Sequence, residues 1–231
     1  MKRFYKAAVA APIEGGWQVT LDGRGVKTPN GKQQVVPTPA LAEALATEWA
    51  TQGEEIEPTS LVLRDLVDFA LDIVGPERPA TIAALLRFAE TDTLCYRADR
   101  EDALHARQAE VWEPLLTAAE ARWDVHFERI EGVIHRPQPR VTLARLDAVL
   151  AAEDDFALSA LTTLASLAAS LVISLAAQAP DSDPVALWNA ANLEEDWQAE
   201  LWGEDYEAIE LRAKRLATFT AAHRLAALVR S

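Results

Sequence analysis

The sequence predicts an α+β protein, with a small β-rich α/β domain over residues 1-75 followed by an all-α helical bundle over residues 76-231. Three observations support this. Residues 1 to about 37 alternate in polarity and carry hairpin-turn signals. The stretch "GPERPA" is rich in proline and glycine and marks a boundary. Beyond it the apolar spacing is helical nearly throughout.

The N-terminal segment is typical of β structure. In "WQVTLDGRGVKTP" the apolar Trp17, Val19 and Leu21 alternate with polar residues, which is the period of a strand. "DGRG" and "PNGKQQVVPT" each carry a hairpin-turn signal. Gly23 and Gly25 do not indicate a dinucleotide-binding loop, because no helix follows them and the third glycine is missing.

Two helices complete the predicted first domain. Thr38 is a capping residue and Pro39 suits the first helical position, so a helix is expected to run to about Gln52 and stop at Gly53. The next segment, "LVLRDLVDFALDIVG", ends at Gly75 and forms one apolar helical stripe. The stripe consists of Leu63, Leu66, Val67, Ala70, Leu71 and Val74.

The second domain is predicted to be a succession of helices. Their expected ranges are 79–89, 92–98, 101–122, 142–152, 155–178, 183–202 and 205–229. The exception is "VHFERIEGVIHRPQPRV", which is strand-like at first and is then broken by prolines.

The uncharged segment from Phe156 to Pro180 is long enough to cross a membrane. It also holds six Ser and Thr residues and many alanines, and the charged residues close to it are acidic rather than basic. We therefore expect the buried centre of a helical bundle, with no membrane insertion.

The net charge of -14 argues against nucleic acid and anionic membranes as partners, since both need a basic surface. It favours a basic or polar protein partner. Cys95 is the only cysteine, so no intrachain disulfide is expected, and the N-terminal residues do not resemble a signal peptide. These features predict a bacterial cytoplasmic protein, and nothing in the sequence demands more than a monomer.

No catalytic or cofactor motif stands out. The four histidines lack metal-ligand spacing, there is no phosphate-binding loop, and Cys95 is expected to be a buried small residue. Glu194 and Glu195 are adjacent, so on a helix they point in different directions and do not form an acid/base pair by themselves.

The stretch "WNAANLEEDWQAELWG" carries three of the seven tryptophans. If it is one continuous helix, Trp188, Glu195 and Trp202 lie on a flank away from the core, bordered by Gln198. Either another helix covers this flank, or it is an exposed interaction surface with aromatic anchors. The same construction predicts a core stripe of Ala186, Ala190, Leu193, Trp197 and Leu201.

Several motifs occur together in a family-specific order: "RFYK", "GWQVTLDGRGVKTP", "PTPALAEALATEWATQGEEIEP", "TDTLCYRA", "QAEVWEPLL" and "LEEDWQAELWG". From Arg3 to about Tyr206 the chain resembles ATP synthase assembly factor two, the Atp-twelve chaperone family of mitochondria and some bacteria. The lack of an extension before Arg3 fits a bacterial member. The chain after Trp202 is a few residues shorter than in animal relatives, so the loop there is expected to differ.

The resemblance implies a C-terminal orthogonal helical bundle and a chaperone that is not an enzyme and needs no cofactor. Such a chaperone binds the free alpha subunit of F-type ATP synthase until a beta subunit replaces it. An important glutamate of the family maps to Glu194 or Glu195. Together with the helical flank, this gives an expected partner-binding set of Trp188, Glu194, Glu195, Gln198 and Trp202.

Two other readings remain open from the residues. The chain could be a small-molecule enzyme that uses Glu194 or Glu195 as acid or base with Asp92 nearby, which requires a concave pocket where the carboxylates meet. It could also be a structural bundle with no fixed partner.

Overall fold

The structure is a computed structural model, which describes residues 1–132, 134–203 and 206–230. The loop expected to differ after Trp202 includes Glu204 and Asp205, which lie outside the described residues, as does the predicted start of the last helix. The predicted α+β class is confirmed, because a small antiparallel sheet lies in the N-terminal part and helices form most of the C-terminal part.

The sheet has four antiparallel strands, and its second strand pairs with the other three. In the hairpin loop that joins the second strand to the third, Asp22 and Gly23 have φ values of 48° and 82°. Positive φ at both positions is what a tight Asp-Gly hairpin needs, so the turn predicted from "DGRG" is confirmed. The strands are β1 (Ala8–Ile13), β2 (Gly16–Leu21), β3 (Arg24–Gly25) and β4 (Val35–Val36).

Helix α1 (Pro39–Ala50) contacts β1, β2 and β4, and it places Leu41, Leu45 and Trp49 in the core. A 3-10 turn at Pro58–Ser60 leads to α2 (Val62–Phe69), which continues as a wider π-helical turn over Ala70–Val74. The Glu48 carboxylate of α1 accepts the backbone N–H groups of Leu63 and Arg64, which fixes the start of α2 against α1.

The remaining elements are mostly helical. They are α3 (Arg78–Glu90), a 3-10 turn (Thr93–Cys95), β5 (Tyr96–Arg97), α4 (Ala103–Trp123), β6 (Ile130–Glu131), α5 (Arg140–Ala151), α6 (Asp155–Ala168), α7 (Leu171–Ala176), α8 (Pro184–Ala191), α9 (Leu193–Trp202) and α10 (Tyr206–Leu228). The short strands β5 and β6 pair in parallel.

The chain divides into two compact units. The sheet unit contains Met1–Arg78, Asp154–Ala160 and the C-terminal residues from Arg224 onward. The helical unit contains Pro79–Glu153 and Leu161–His223. The domain ranges 1-75 and 76-231 stay a prediction.

Three predicted helices differ from the structure. Residues 92–98 form no helix, because Asp92 caps a single 3-10 turn and Tyr96 then enters β5. The helix predicted over 155–178 breaks where Ala169 adopts φ 48° and the buried Ser170 hydroxyl caps α7 by accepting from the Ile173 N–H. The helix predicted over 183–202 breaks at Asn192, between α8 and α9.

The uncharged segment that forms α6 and α7 is mostly buried, as the sequence predicted. In α6 and α7 nearly all the leucines and most of the alanines are inaccessible to solvent. Among the described residues, no helix combines the length and the apolarity that a membrane crossing needs.

Candidate functional site

Trp188 was expected on the same flank as Glu195 and Trp202, away from the core, and the structure shows that this is wrong. Its side chain is 1% exposed, its ring lies 5.6 Å from that of Phe219, and the Arg215 guanidinium lies 5.7 Å from its ring centre. The prediction failed because it treated residues 183–202 as one helix. Asn192 has φ −104° and ψ 17°, so the direction of the side chains on α8 cannot be extrapolated to α9.

The predicted core stripe is only partly correct, and the break does not account for its errors, because Ala186 shares α8 with Ala190 and Leu201 shares α9 with Leu193. Ala190 and Leu193 are buried, whereas Ala186 is exposed and Leu201 is 59% exposed. Trp197 is only partly buried, beside the guanidinium of Arg107.

The other expected site residues lie together on α9. Glu195, Gln198 and Trp202 are three and four residues apart, so they share one face of the helix, and all three are exposed. Trp202 is 78% exposed, which is unusual for a large aromatic side chain. Trp202 ends the helix, and Gly203 follows at φ 86°, in the left-handed region that suits glycine.

This face of α9 forms one wall of a groove of about 450 Å³, and α10 forms the other wall. Ile209 and Leu211 line the groove from α10. Trp202, Ile209 and Leu211 line the groove, and together with the exposed Leu201 and Tyr206 of the same two helices they are called the exposed apolar cluster.

The sequence reasoning missed the α10 members of the apolar cluster and had placed Leu201 in the core. A signal was present, since Tyr206 and Ile209 are three residues apart within a strongly charged stretch and so fall on one helical face.

An ion pair joins the two walls of the groove, and a hydrogen bond fixes α10 to α6. Asp196 of α9 forms a salt bridge with Arg212 of α10. Arg215 of α10 donates to the carbonyl of Leu167 at 3.3 Å. Glu195 has no hydrogen-bond or ion-pair partner within the part of the chain that the structure describes, so its charge faces the open groove.

Glu194 lies in a different environment from Glu195. Its carboxylate accepts a 2.6 Å hydrogen bond from the side-chain amide of Gln108, which is fully buried on α4. The Gln108 side-chain oxygen accepts from the Ala98 N–H, and its carbonyl accepts from Arg97. Glu194 therefore fastens α9 to α4, whereas Glu195 is available to a partner.

Asp92, the carboxylate suggested for an enzyme, is fully buried. It accepts backbone N–H groups from Leu94 and Val172, and burial raises its pKa to about 6. Its hydrogen bonds thus go to the 3-10 turn that follows it and to the start of α7, whereas Glu194 bonds to α4. Cys95 is also buried, and burial raises the pKa of its thiol. No group of three potential metal ligands occurs among the described residues.

An exposed tryptophan with apolar neighbours, an amide and an unpaired carboxylate has the composition of a protein-binding surface. The fold and this site fit the class of proteins that bind other polypeptides.

Comparison with known proteins identifies the family. The model of the ATP12 chaperone protein family matches residues 2–120. Protein atp12, mitochondrial, of Schizosaccharomyces pombe is 27% identical over 222 residues, which cover 91% of this chain and 76% of that protein. The chain belongs to the ATP12 chaperone protein family, which confirms the resemblance drawn from the sequence motifs.

Solved structures of related proteins match nearly the whole of this chain. The crystal structure of Atp12 from Paracoccus denitrificans is 37% identical, with a TM-score of 0.93 over 99% of this chain and 98% of that chain. A variant of the Paracoccus protein with an aspartate replaced by lysine matches equally well. The Atu1473 protein of Agrobacterium tumefaciens is 39% identical, with a TM-score of 0.94 over 98% of this chain and 85% of that chain.

Proposed function

We propose that this protein is an assembly chaperone for the catalytic head of F-type ATP synthase. It binds the unassembled alpha subunit and shields the apolar surface of that subunit until the beta subunit displaces it. Membership in the ATP12 chaperone family supports this role. We place the activity in the bacterial cytoplasm, with a monomer as the acting species.

The observation that carries the proposal is the exposed apolar cluster beside Glu195 and Gln198. Large contiguous apolar surfaces are rare on proteins that bind nothing, because they promote aggregation. Trp202 is the natural anchor, since an aromatic side chain buries a large area on contact at little cost in conformational entropy. Glu195 adds a charge that orients the partner.

Release from such a site needs no nucleotide. A beta subunit that binds the same surface of the alpha subunit competes with the chaperone, and mass action shifts the equilibrium toward the assembled pair. The net charge of -14 keeps the chaperone itself dispersed while its apolar cluster is uncovered.

The binding site is tested with purified alpha subunit and two variants of this chain. We expect Trp202→Ala to weaken binding by roughly 30-fold, since removal of a central aromatic anchor costs about 2 kcal/mol. We expect Glu195→Lys to weaken it by roughly tenfold through charge reversal in the groove. Dissociation constants from isothermal titration calorimetry provide the measurement.

Matched controls separate this site from general surface effects. Glu110→Lys reverses an exposed carboxylate on α4, and Val141→Ala truncates an apolar side chain on α5 that is 75% exposed. Both controls should bind the alpha subunit like the unmodified chain. If the groove variants bind as tightly as these controls while circular dichroism shows them folded, the site assignment is wrong.

A further inference from the structure

A second groove, of about 650 Å³, lies entirely within the sheet unit. Phe4, Tyr5 and Trp49 line it as an aromatic row, with successive rings edge to face at 5.3 and 5.7 Å between centres. The buried Leu21 and Val26 of the hairpin region complete its apolar lining. The groove therefore offers a surface that an apolar side chain can cover.

Positive charge dominates the rim of this groove. Arg24 and Lys27 are exposed and have no ion-pair or hydrogen-bond partner for their side chains in the described ranges. Arg64 reaches the same groove from α2, with its guanidinium 5.8 Å from the centre of the Trp49 ring. Arg64 itself is paired with Asp65, so Arg24 and Lys27 are the cations available to a ligand.

The two carboxylates of the groove are already used within the protein. Asp22 accepts the backbone N–H groups of Lys6 and Ala7 at 2.9 to 3.1 Å. Asp68 accepts a 2.7 Å hydrogen bond from the buried amide of Gln34. Among the described residues neither carboxylate forms an ion pair with Arg24 or Lys27, and the three basic residues of the lining outnumber its two acidic ones, so the groove favours an anion.

Trp49 adds an unsatisfied donor. It is 6% exposed, and its indole N–H finds no acceptor among the described residues. A buried N–H without an acceptor is unfavourable, whereas an added acceptor recovers the hydrogen bond. Trp49 lines the groove, so the chemical shift of its indole N–H can report that a ligand occupies the groove.

Most residues that line this groove come from the part of the sequence that is rich in basic residues. Residues 1–36 contain six basic and two acidic residues, a net charge of +4, and the rest of the chain carries -18. A basic segment in such an acidic protein attracts anionic ligands that the remainder repels.

We propose that this groove binds an acidic segment of a polypeptide, in which a carboxylate side chain is flanked by apolar side chains. The carboxylate pairs with Arg24 and Lys27, and the apolar side chains cover the aromatic row. The source is a polypeptide because the chain belongs to a chaperone family. The inference rests on that membership and not on the identity of the client or on the α9–α10 groove.

The test is a two-dimensional 1H–15N NMR titration of the full chain, in which the indole signal of Trp49 is followed by sequential assignment. The probe is acetyl-Leu-Glu-Phe-amide, and its neutral counterpart is acetyl-Leu-Gln-Phe-amide. We expect the Trp49 signal to shift saturably with the glutamate peptide, and at least fivefold weaker binding of the glutamine peptide. Added salt should weaken the glutamate peptide's binding.

The variants replace exposed basic side chains, and we expect them to keep the fold intact. Arg24→Gln together with Lys27→Gln should weaken binding of the glutamate peptide by about tenfold, whereas Lys2→Gln, outside the groove, should leave it unchanged. An absent Trp49 shift, equal binding of both peptides, or equal binding by the double variant would overturn the proposal. So would binding of 3-phenylpropanoate without binding of the peptide, which would mark a small-acid site. None of these outcomes bears on the alpha-subunit test, which probes the other groove.

Discussion

Glu194 and Glu195 are neighbours in the chain, yet their side chains have different roles in the structure. Both lie in the first turn of α9, where negative charge is favourable next to the positive end of the helix dipole. Only Glu194 reaches the buried Gln108, and only Glu195 lines the groove. The family resemblance left open which glutamate matters to the partner, and the geometry favours Glu195.

This difference predicts a large loss of stability for the alanine variant of Glu194 and almost none for that of Glu195. Glu194→Ala leaves the buried Nε2 of Gln108 without its acceptor, so the free energy of unfolding should fall by about 1 to 3 kcal/mol. Glu195→Ala removes a side chain without such a partner and should change it by less than about 0.5 kcal/mol. Urea denaturation at pH 7 measures both values. Equal losses for the two variants would refute the assignment of roles.

Asp92 predicts a dependence of stability on pH. Burial raises its pKa from 3.8 to about 6, so the folded chain holds this proton more tightly than the unfolded chain. The resulting stabilisation is greatest below pH 3.8 and is lost as pH rises to about 6. Between pH 5 and pH 7 the loss amounts to about 1 kcal/mol.

The variant Asp92→Asn cannot ionise, so its own stability should lack this contribution. The stability difference between the unmodified chain and Asp92→Asn should therefore be about 1 kcal/mol larger at pH 5 than at pH 7. Asp102→Asn, which keeps a side-chain oxygen at an exposed helix cap, is the control and should change stability by the same amount at both pH values. A constant difference for Asp92→Asn would show that Asp92 does not titrate in this range.

At the scale of elements, the sequence predicted most helices and the hairpin at Asp22-Gly23 because their signals are local. Apolar spacing, the Thr38-Pro39 start and the Asp-Gly turn each depend on a few adjacent residues. The breaks at Ala169 and Asn192 were missed, since neither residue type forbids a continuing helix.

The missed breaks also limited what could be said of the site. A helical projection gives the right face only within one unbroken helix, so Gln198 and Trp202 were placed correctly relative to Glu195, and Trp188 was not. Whether a face is covered depends on helices distant in sequence, which local patterns do not specify. The parallel pairing of β5 with β6 was beyond local patterns for the same reason.

The cap of α1 gives a prediction at this scale. The Thr38 hydroxyl accepts from the Leu41 N–H at 3.2 Å and donates to the Leu228 carbonyl at 2.6 Å, so it joins the starting turn of α1 to the end of α10. Thr38→Ala should lower the free energy of unfolding by about 1 to 2 kcal/mol. Thr38→Ser keeps the hydroxyl and should lose less than half of that in the same urea denaturation. If serine is as damaging as alanine, the hydroxyl is not the stabilising group.

At the scale of the whole molecule, charge and apolar surface are separated along the chain. The sheet unit begins with a basic segment, whereas the helical unit carries an exposed apolar cluster beside acidic groups. If both proposed surfaces bind the client, its contacts are limited in each, which is compatible with later displacement by a proper partner. Neither surface requires a bond to be made or broken.

The most direct test of this account is the aggregation of isolated alpha subunit, followed by light scattering with and without the chain. We predict that an equimolar amount of the chain suppresses the scattering, that Trp202→Ala suppresses it much less, and that added beta subunit then takes the alpha subunit into an alpha–beta complex. Scattering that is unaffected by an equimolar amount of the folded chain would contradict the account.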